Sequence, residues 1–398
     1  MSETHHRIGI VGLGKLGRGI LFSLCEQNWV GQIHAYSASF HGNYSALEND
    51  LFFQQHKVFF HHTLEGLFSG EPTLLFITTG AHVEDFSRYN NRMELRARLY
   101  EEAIPHVRPV FEFIERTGYE GLVCIMTNPT GDHLVAAKTI YDIPPNKLTS
   151  FPPDTRRAKG LLWRCIENYA MLCAYRIRIS QELILEKSFS DLCRWEFVKN
   201  PGNRTIKGIV LPEREKDLIL RVVGDHGREI PLIDESLICG ANKPPVCLTQ
   251  LDSIFGTDAF REGFMKTLHT IGHQLMQALE ISKGSYYTAP EVAVSTAGVV
   301  LGRERTELKQ PLPESIYGWI SDLNCFLSVP AIVFGSSPRV ELDSAWWLET
   351  ASKSIAGQLR VQADDLKSFY TQNWDKWGVS RGKAKIPAPK PLRPSLGL

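Results

Sequence analysis

Ile8-Gly9-Ile10-Val11-Gly12-Leu13-Gly14-Lys15-Leu16-Gly17 is an apolar strand that runs through three glycines at G-x-G-x-x-G spacing into a helix. Gly12 suits the tight turn at the end of the strand, Gly14 lets a pyrophosphate reach the backbone, and Gly17 lets the helix pack closely on the strand. The backbone N–H groups at the start of that helix, around Lys15 and Leu16, then face the anion. In a strand–turn–helix setting at the head of a domain, the string predicts a dinucleotide-binding turn.

Working outward, apolar runs of strand length alternate with amphipathic stretches. Arg7–Gly12 reads as a buried strand and Leu16–Gln27 as a helix with Ile20, Leu21 and Leu24 on one face. Gln32–Tyr36, Leu74–Thr79 and Leu122–Thr127 read as further strands, the last two ending at Gly80 and at Asn128-Pro129. Between them Arg92–Arg116 carries apolar residues at helical spacing, interrupted by Pro105. Strands separated by helices predict a doubly wound parallel α/β sheet, here over residues 1–148. Residues 149–375 mix long helices (Arg156–Leu172, Phe260–Ile281, Ala345–Tyr370) with strand-like runs such as Ser328–Phe334, and predict a second, α+β domain. Residues 376–398 carry only basic charges and four prolines, the composition of a disordered tail.

The whole composition narrows the function. The chain has 398 residues, enough for about two domains. Its 44 Lys and Arg balance its 44 Asp and Glu, so no net field points to nucleic acid or an anionic membrane. The apolar runs are too short to span a bilayer, and Met1–Arg7 reads straight into a strand rather than as a signal peptide. The eight cysteines include no C-x-x-C pair, so neither a zinc site nor a disulfide framework is expected. Free thiols suit a reducing compartment, and the cytoplasm is the expected location.

One expected element is absent. The second strand of a dinucleotide-binding unit ends in Asp or Glu, which takes the ribose 2′-hydroxyl. At that position the chain has Ser37, and no Lys or Arg lies between Arg18 and Lys57 to hold a 2′-phosphate. NAD and NADP therefore both stay open, as does weakened dinucleotide binding.

The most informative segment downstream is Val222-Val223-Gly224-Asp225-His226-Gly227-Arg228-Glu229-Ile230-Pro231. An imidazole between small residues at the end of an apolar strand can reach a cleft and exchange a proton near neutral pH. Asp154-Thr155-Arg156-Arg157, at a helix start, offers a carboxylate and a guanidinium one turn apart. An Asp beside His226 would fix its tautomer, and Arg157 could clamp a substrate carboxylate.

At this point the sequence resembles the lactate/malate dehydrogenase family, across about residues 7–370. The Gly12–Gly17 turn, Leu75–Ala81, Thr127-Asn128-Pro129, Asp154-x-x-Arg157, Gly224-Asp225-His226-Gly227 with Pro231, Lys283-Gly284-Ser285-Tyr286 and Leu327-Ser328-Val329-Pro330 follow in the family's order. The resemblance implies a Rossmann domain followed by an α+β catalytic domain. It implies His226 as proton donor and acceptor with Asp154 as its partner, Arg157 on the substrate carboxylate, and Arg92 polarising the carbonyl from a mobile loop. Asn128 would bind the substrate oxygen or the cofactor, and Tyr286 would line the pocket. The dinucleotide would meet Gly12, Gly14, Lys15, Leu16, Gly17, Ser37, Thr79, Gly80 and Asn128. The substrate would be a small (S)-2-hydroxy or 2-oxo acid, and the assembly a homodimer or homotetramer.

The chain also departs from the family. The loop between Gly80 and Arg92 is long, with Phe86 where a Gln selects lactate or an Arg selects malate, and with Glu84, Asp85 and Arg88 nearby. About residues 173–215 read as an insertion, and the turn after His226 is one residue short and lacks the family's Asp. These departures keep a second reading in play, a degenerate member that serves as a binding or assembly protein. A third, a hydrolase related to the NAD- and manganese-dependent glycosidases, requires a Cys or His metal pair that the sequence does not offer.

Overall fold

The computed structural model describes residues 5–40, 44, 47–48, 51, 56–80, 92–186, 199–200, 202, 205–206, 209–210, 218–239, 245–278, 288–302, 312, 315–334, 338–343, 346–347, 351 and 353–373. They fall into two compact units. The first comprises residues 1–152, 281–312 and 316–398, the second 153–280 and 313–315.

The first unit is a six-stranded parallel sheet centred on β1 (His6–Val11), which pairs with β2 (Val30–Tyr36) on one side. Beyond β2 lies β3 (Val58–His61), reached before α2 (Leu64–Ser69). On the other side follow β4 (Leu74–Ile77), β5 (Leu122–Ile125) and β6 (Leu148–Thr149). The order is β3-β2-β1-β4-β5-β6, so the topology reverses between β1 and β4. Strands covered on both faces need apolar residues at every position, which is why Leu74–Ile77 and Leu122–Ile125 are buried without alternation. The crossover α1 (Lys15–Cys25) buries Ile20, Leu21 and Leu24.

The crossover α3 (Arg92–Thr117) runs on through Pro105, where the sequence suggested an interruption, and through Pro109 as well. A proline inside a helix forfeits a hydrogen bond and costs about 3 kcal/mol. Here the two prolines sit four residues apart on the less buried face, where water can take the freed carbonyls, while Tyr100, Ala103, Val107 and Phe111 are fully buried on the other. Core burial outweighs the local cost. After β5 the chain passes the cis Asn128–Pro129 bond into α4 (Thr130–Ile140).

The second unit is organised by α5 (Asp154–Ala174) and α8 (Asp258–Ala278), with two short helices, α6 (Gln181–Leu185) and α7 (Leu248–Leu251), between them. Its small strands form β7 (Thr205–Ile206) with β8 (Ile209–Val210), β10 (Val222–Val223) with β11 (Ile230–Pro231), and β9 (Leu218–Ile219) with β12 (Leu237–Ile238) and β13 (Val246–Cys247). All are antiparallel. Leu162, Ile166, Tyr169, Phe255, Phe260 and Phe264 make its core. Asn168 Nδ2 donates to the carbonyls of Leu183, Ile184 and Glu186, which fastens α6 to α5. The start of the stretch read as an insertion is therefore built into this core.

The chain then returns to the first unit. Helix α9 (Thr288–Gly302) packs on α1 so tightly that a Cβ at Gly19 would stand 2.6 Å from Pro290. The hairpins β14 (Ile316–Ile320) with β15 (Cys325–Val329) and β16 (Ala331–Phe334) with β17 (Arg339–Leu342) follow, then α10 (Lys353–Asn373). The compact units thus differ from a continuous second domain over 149–375: Val300, Leu301, Ile316 and Val333 belong to the core that holds β1 and α1. The run Ser328–Phe334 is divided at Pro330 between two hairpins, because proline cannot donate to a ladder. The tail 376–398 lies outside the described residues.

Candidate active site

The glycine turn is built as its spacing requires. Gly12 has φ +97°, and a Cβ there would strike the Thr79 backbone nitrogen at 2.7 Å. At Gly17 a Cβ would lie 1.9 Å from the Gly12 carbonyl oxygen, so helix and strand approach to a distance only glycine allows. Gly14 is the N-cap of α1 and is different: a Cβ there meets nothing within 4 Å. Lys15 and Leu16 form the first turn behind it.

Threonines hold the neighbouring strand ends to this turn. Thr78 Oγ1 donates to the Gly12 carbonyl at 2.6 Å, and Thr127 Oγ1 donates to the carbonyls of Ile77 and Thr79. The Thr79 hydroxyl, in contrast, is buried with no protein partner, and exposed Gly80 follows it. Asn128 is exposed, its Oδ1 accepting at 3.4 Å from Thr130 Oγ1. An open capping position over a helix N-terminus beside an orphaned hydroxyl fits the pyrophosphate and ribose of a dinucleotide. Ser37, at the end of β2, is buried, with its hydroxyl 3.0 Å from that of Ser39. Lys57, the next cation along the sequence, donates to the carbonyls of Cys25 and Gln27 instead.

A buried polar group lies behind Asn128. Arg96 Nε on α3 meets Asp132 Oδ2 on α4 at 2.5 Å, and His133 stacks on Tyr100 with ring centroids 4.8 Å apart. Burial drives the His133 pKa down to about 3, against a smaller opposing pull from the Asn128 backbone.

In the second unit His226 Nδ1 lies 2.7 Å from Asp154 Oδ2. The hairpin β10–β11 presents the ring: Gly224 and Gly227 have φ of +108° and +79°, and Arg228 N donates to the Asp225 carbonyl at 2.8 Å to close the turn. Asp154 is the first residue of α5 and is buried, whereas the His226 side chain keeps 40% of its exposure. Arg157, one turn along α5, brings Nη1 to 3.4 Å from Asp154 Oδ1. The Asp154 charge raises the His226 pKa well above the ordinary imidazole range, outweighing the effect of burial, with Glu229 adding to it. Burial would raise the Asp154 carboxyl, but the charge of His226 and its hydrogen bond, with Arg157, hold it below its ordinary value. A partly exposed imidazole backed by a carboxylate that favours its charged form can donate a proton.

The sequence-predicted residues thus gather in two groups, Gly12 to Gly17 with Thr79, Gly80 and Asn128 in one unit, and Asp154, Arg157 and His226 in the other. Arg92 is the first residue of α3, but its side chain lies outside the described residues, as do Tyr286 and the loop 81–91. The sequence reading missed Glu229, whose Oε1 is 3.3 Å from His226 Nδ1, and His269 of α8, 3.6 Å from Glu229 Oε2. An acid three residues after a turn histidine was the available signal. Asp154, His226 and Glu229 together have the donor set of a metal site. Yet 2.7 Å between Nδ1 and Oδ2 is a hydrogen-bond distance, closer than the separation of about 3.4 Å between ligands of tetrahedral zinc.

No family model matches the sequence, and no curated protein matches it. Solved structures do. The malate dehydrogenase of Cryptosporidium parvum superposes with a TM-score of 0.65 over 92% of this chain and 98% of its own, at 16% identity. The lactate dehydrogenase of Eimeria maxima with NADH and oxamate gives 0.64 over 97% and 99%, at 15% identity. The malate dehydrogenase of Plasmodium falciparum gives 0.64 over 94% and 99%, at 12% identity. This is the lactate and malate dehydrogenase fold. The likeness extends over most of the chain and gives no separate support to an insertion at residues 173–215. Among the described residues no helix is long and apolar enough to cross a membrane.

Proposed function

We propose that the protein is a nicotinamide-dinucleotide-dependent dehydrogenase of a small 2-hydroxy or 2-oxo acid. The observation that carries this is the 2.7 Å pair of His226 and Asp154 with Arg157 one helical turn away. A ketone becoming an alkoxide requires a proton donor, and a small oxo acid requires a fixed cation for its carboxylate. His226 donates from Nε2 to the developing oxygen, while Asp154 holds Nδ1–H and thereby the tautomer. Arg157 takes the carboxylate. Arg92 is assigned to the carbonyl oxygen and Tyr286 to the pocket wall by the resemblance alone.

A dinucleotide bound at Gly12, Gly14 and Gly17 supplies or accepts the hydride. Lys15 and Leu16 offer backbone N–H groups to its pyrophosphate, with Thr79, Gly80 and Asn128 beside the turn. Ser37 carries no charge for or against a 2′-phosphate, so NAD and NADP are to be separated by titration. A homodimer or homotetramer in the cytoplasm belongs to the same reading.

Fluorescence titration with NADH and NADPH, each with and without oxamate, tests it. Saturable binding of one nucleotide, tightened by oxamate, is the expected result. No binding of either at millimolar concentration would overturn the enzyme reading and favour a binding protein built on this fold.

A further inference from the structure

The turn that carries His226 ends in an acid whose placement the reaction above does not require. Glu229 is 7% exposed, and a carboxylate so far from water needs partners. Its Oε1 accepts the backbone N–H of Gly227 and lies 3.3 Å from His226 Nδ1. Its Oε2 faces His269 Nε2 at 3.6 Å, and the same nitrogen lies 3.3 Å from the Glu229 carbonyl oxygen. Gly227 at φ +79° and the chain re-entering β11 at Ile230 set Glu229 in this turn beside the ring. Nδ1 of His226 therefore has Asp154 at 2.7 Å and Glu229 at 3.3 Å.

We propose that Glu229 is a positioning residue for His226. With Asp154 it holds the Nδ1 edge of the ring between two carboxylates and so favours the imidazolium form from which reduction of a 2-oxo acid starts. The proposal rests on the dehydrogenase reading for its substrate, but not for the state of the ring. Among the described residues, the titratable and charged groups near His226 are Asp154 and Arg157 from α5, Asp225, Arg228 and Glu229 from its own turn, and, through Glu229, His269 from α8. One proton on Nδ1 cannot satisfy two carboxylates fully. It goes to the nearer, Asp154, while Glu229 adds its charge and is anchored by the Gly227 N–H. In the reduction, a nicotinamide held at the Gly12–Gly17 turn would supply the hydride to the carbonyl carbon, while His226 gives its Nε2 proton to the carbonyl oxygen. The ring is left neutral with Nδ1–H still on Asp154, and recovers its proton from water. The reverse reaction needs that neutral ring at the outset, and two carboxylates oppose it.

The test is a proton NMR titration of the histidine Cε1–H signals in the whole protein, with His226→Asn to assign the resonance. It needs neither cofactor nor substrate. In the native protein the His226 signal should remain that of a charged ring past neutral pH, and in Glu229→Gln it should titrate at lower pH. A parallel measurement of oxamate affinity for the NADH-loaded protein should show about a tenfold loss in Glu229→Gln at alkaline pH and none under mildly acidic conditions, since one pKa unit is a factor of ten. A residue with only a structural role would lower affinity equally at all pH values. If Glu229→Gln does not fold, the native titration still decides: a midpoint in the ordinary imidazole range overturns the proposal, as does an unmoved midpoint in the variant. A moved midpoint in a protein that turns over no 2-oxo acid would support the role of Glu229 and overturn the dehydrogenase reading instead.

Discussion

His133 and His226 are the same residue put to opposite uses in the two units. His133 is fully buried beside Tyr100, and burial lowers its pKa to about 3, so the ring is neutral. His226 is partly exposed, and Asp154 raises its pKa well above the usual range, which favours the charged ring. The contrast extends to the units themselves. The first offers backbone groups at a glycine turn and threonine hydroxyls; the second offers charges. A carboxylate beside one ring nitrogen favours the charged form that can give up a proton, whereas burial alone favours the neutral one.

The sharpest way to break this contrast is to remove the charged ring. His226→Asn should lower turnover by about 10²–10⁴-fold, the usual share of general acid catalysis, with dinucleotide affinity unchanged. Steady-state rates and a nucleotide titration check both halves, and undiminished turnover would refute the role of His226. The corresponding blow to the first unit falls on its backbone. Gly17→Ala places a Cβ against the Gly12 carbonyl and should cost about 3 kcal/mol in chemical denaturation.

The pH dependence of stability should separate the two rings. His133, and His34 with a pKa of about 4, bind protons more readily once unfolded. Their contribution is complete above about pH 6.5 and is lost as pH falls toward their folded values, each at about 1.4 kcal/mol per pH unit. His133→Leu should reduce that slope by one such increment in urea melts across mild acid. His226, raised rather than lowered, contributes fully below the ordinary imidazole pKa and loses that contribution as pH rises through its folded value. The smallest effect is expected at Gly14, where a Cβ meets nothing. Gly14→Ala should leave the melting temperature in place and weaken NADH or NADPH binding by about tenfold, because the methyl occupies the path of the pyrophosphate.

Much of this was legible in the sequence, for identifiable reasons. The sheet was, because strands buried on both faces must read as unbroken apolar runs, and Leu74–Ile77 and Leu122–Ile125 do. The glycine turn was, because a 1.9 Å approach at Gly17 admits one residue type only. Asp154, Arg157 and His226 were, through motif order, although 72 residues separate Asp154 from His226. Glu229 was not, because nothing local tells whether an acid after a turn turns inward or outward. The return of α9 to the first unit was also hidden, since an apolar helix does not announce which core it will join. Nor could composition separate His226 from His133 among thirteen histidines, as the difference lies in a partner distant in sequence.

The most direct test of the whole account is the affinity of oxamate for the NADH-loaded protein, followed from about pH 5.5 to 9 across the range where an ordinary imidazole titrates. On the proposed reading, oxamate binds only to the NADH-loaded protein, with Arg157 on its carboxylate and a charged His226 on its carbonyl. The affinity should be level through neutral pH, weaken only in the alkaline range, and be lost in His226→Asn. An affinity that already halves near pH 6.5, or one indifferent to His226→Asn, would contradict that reading.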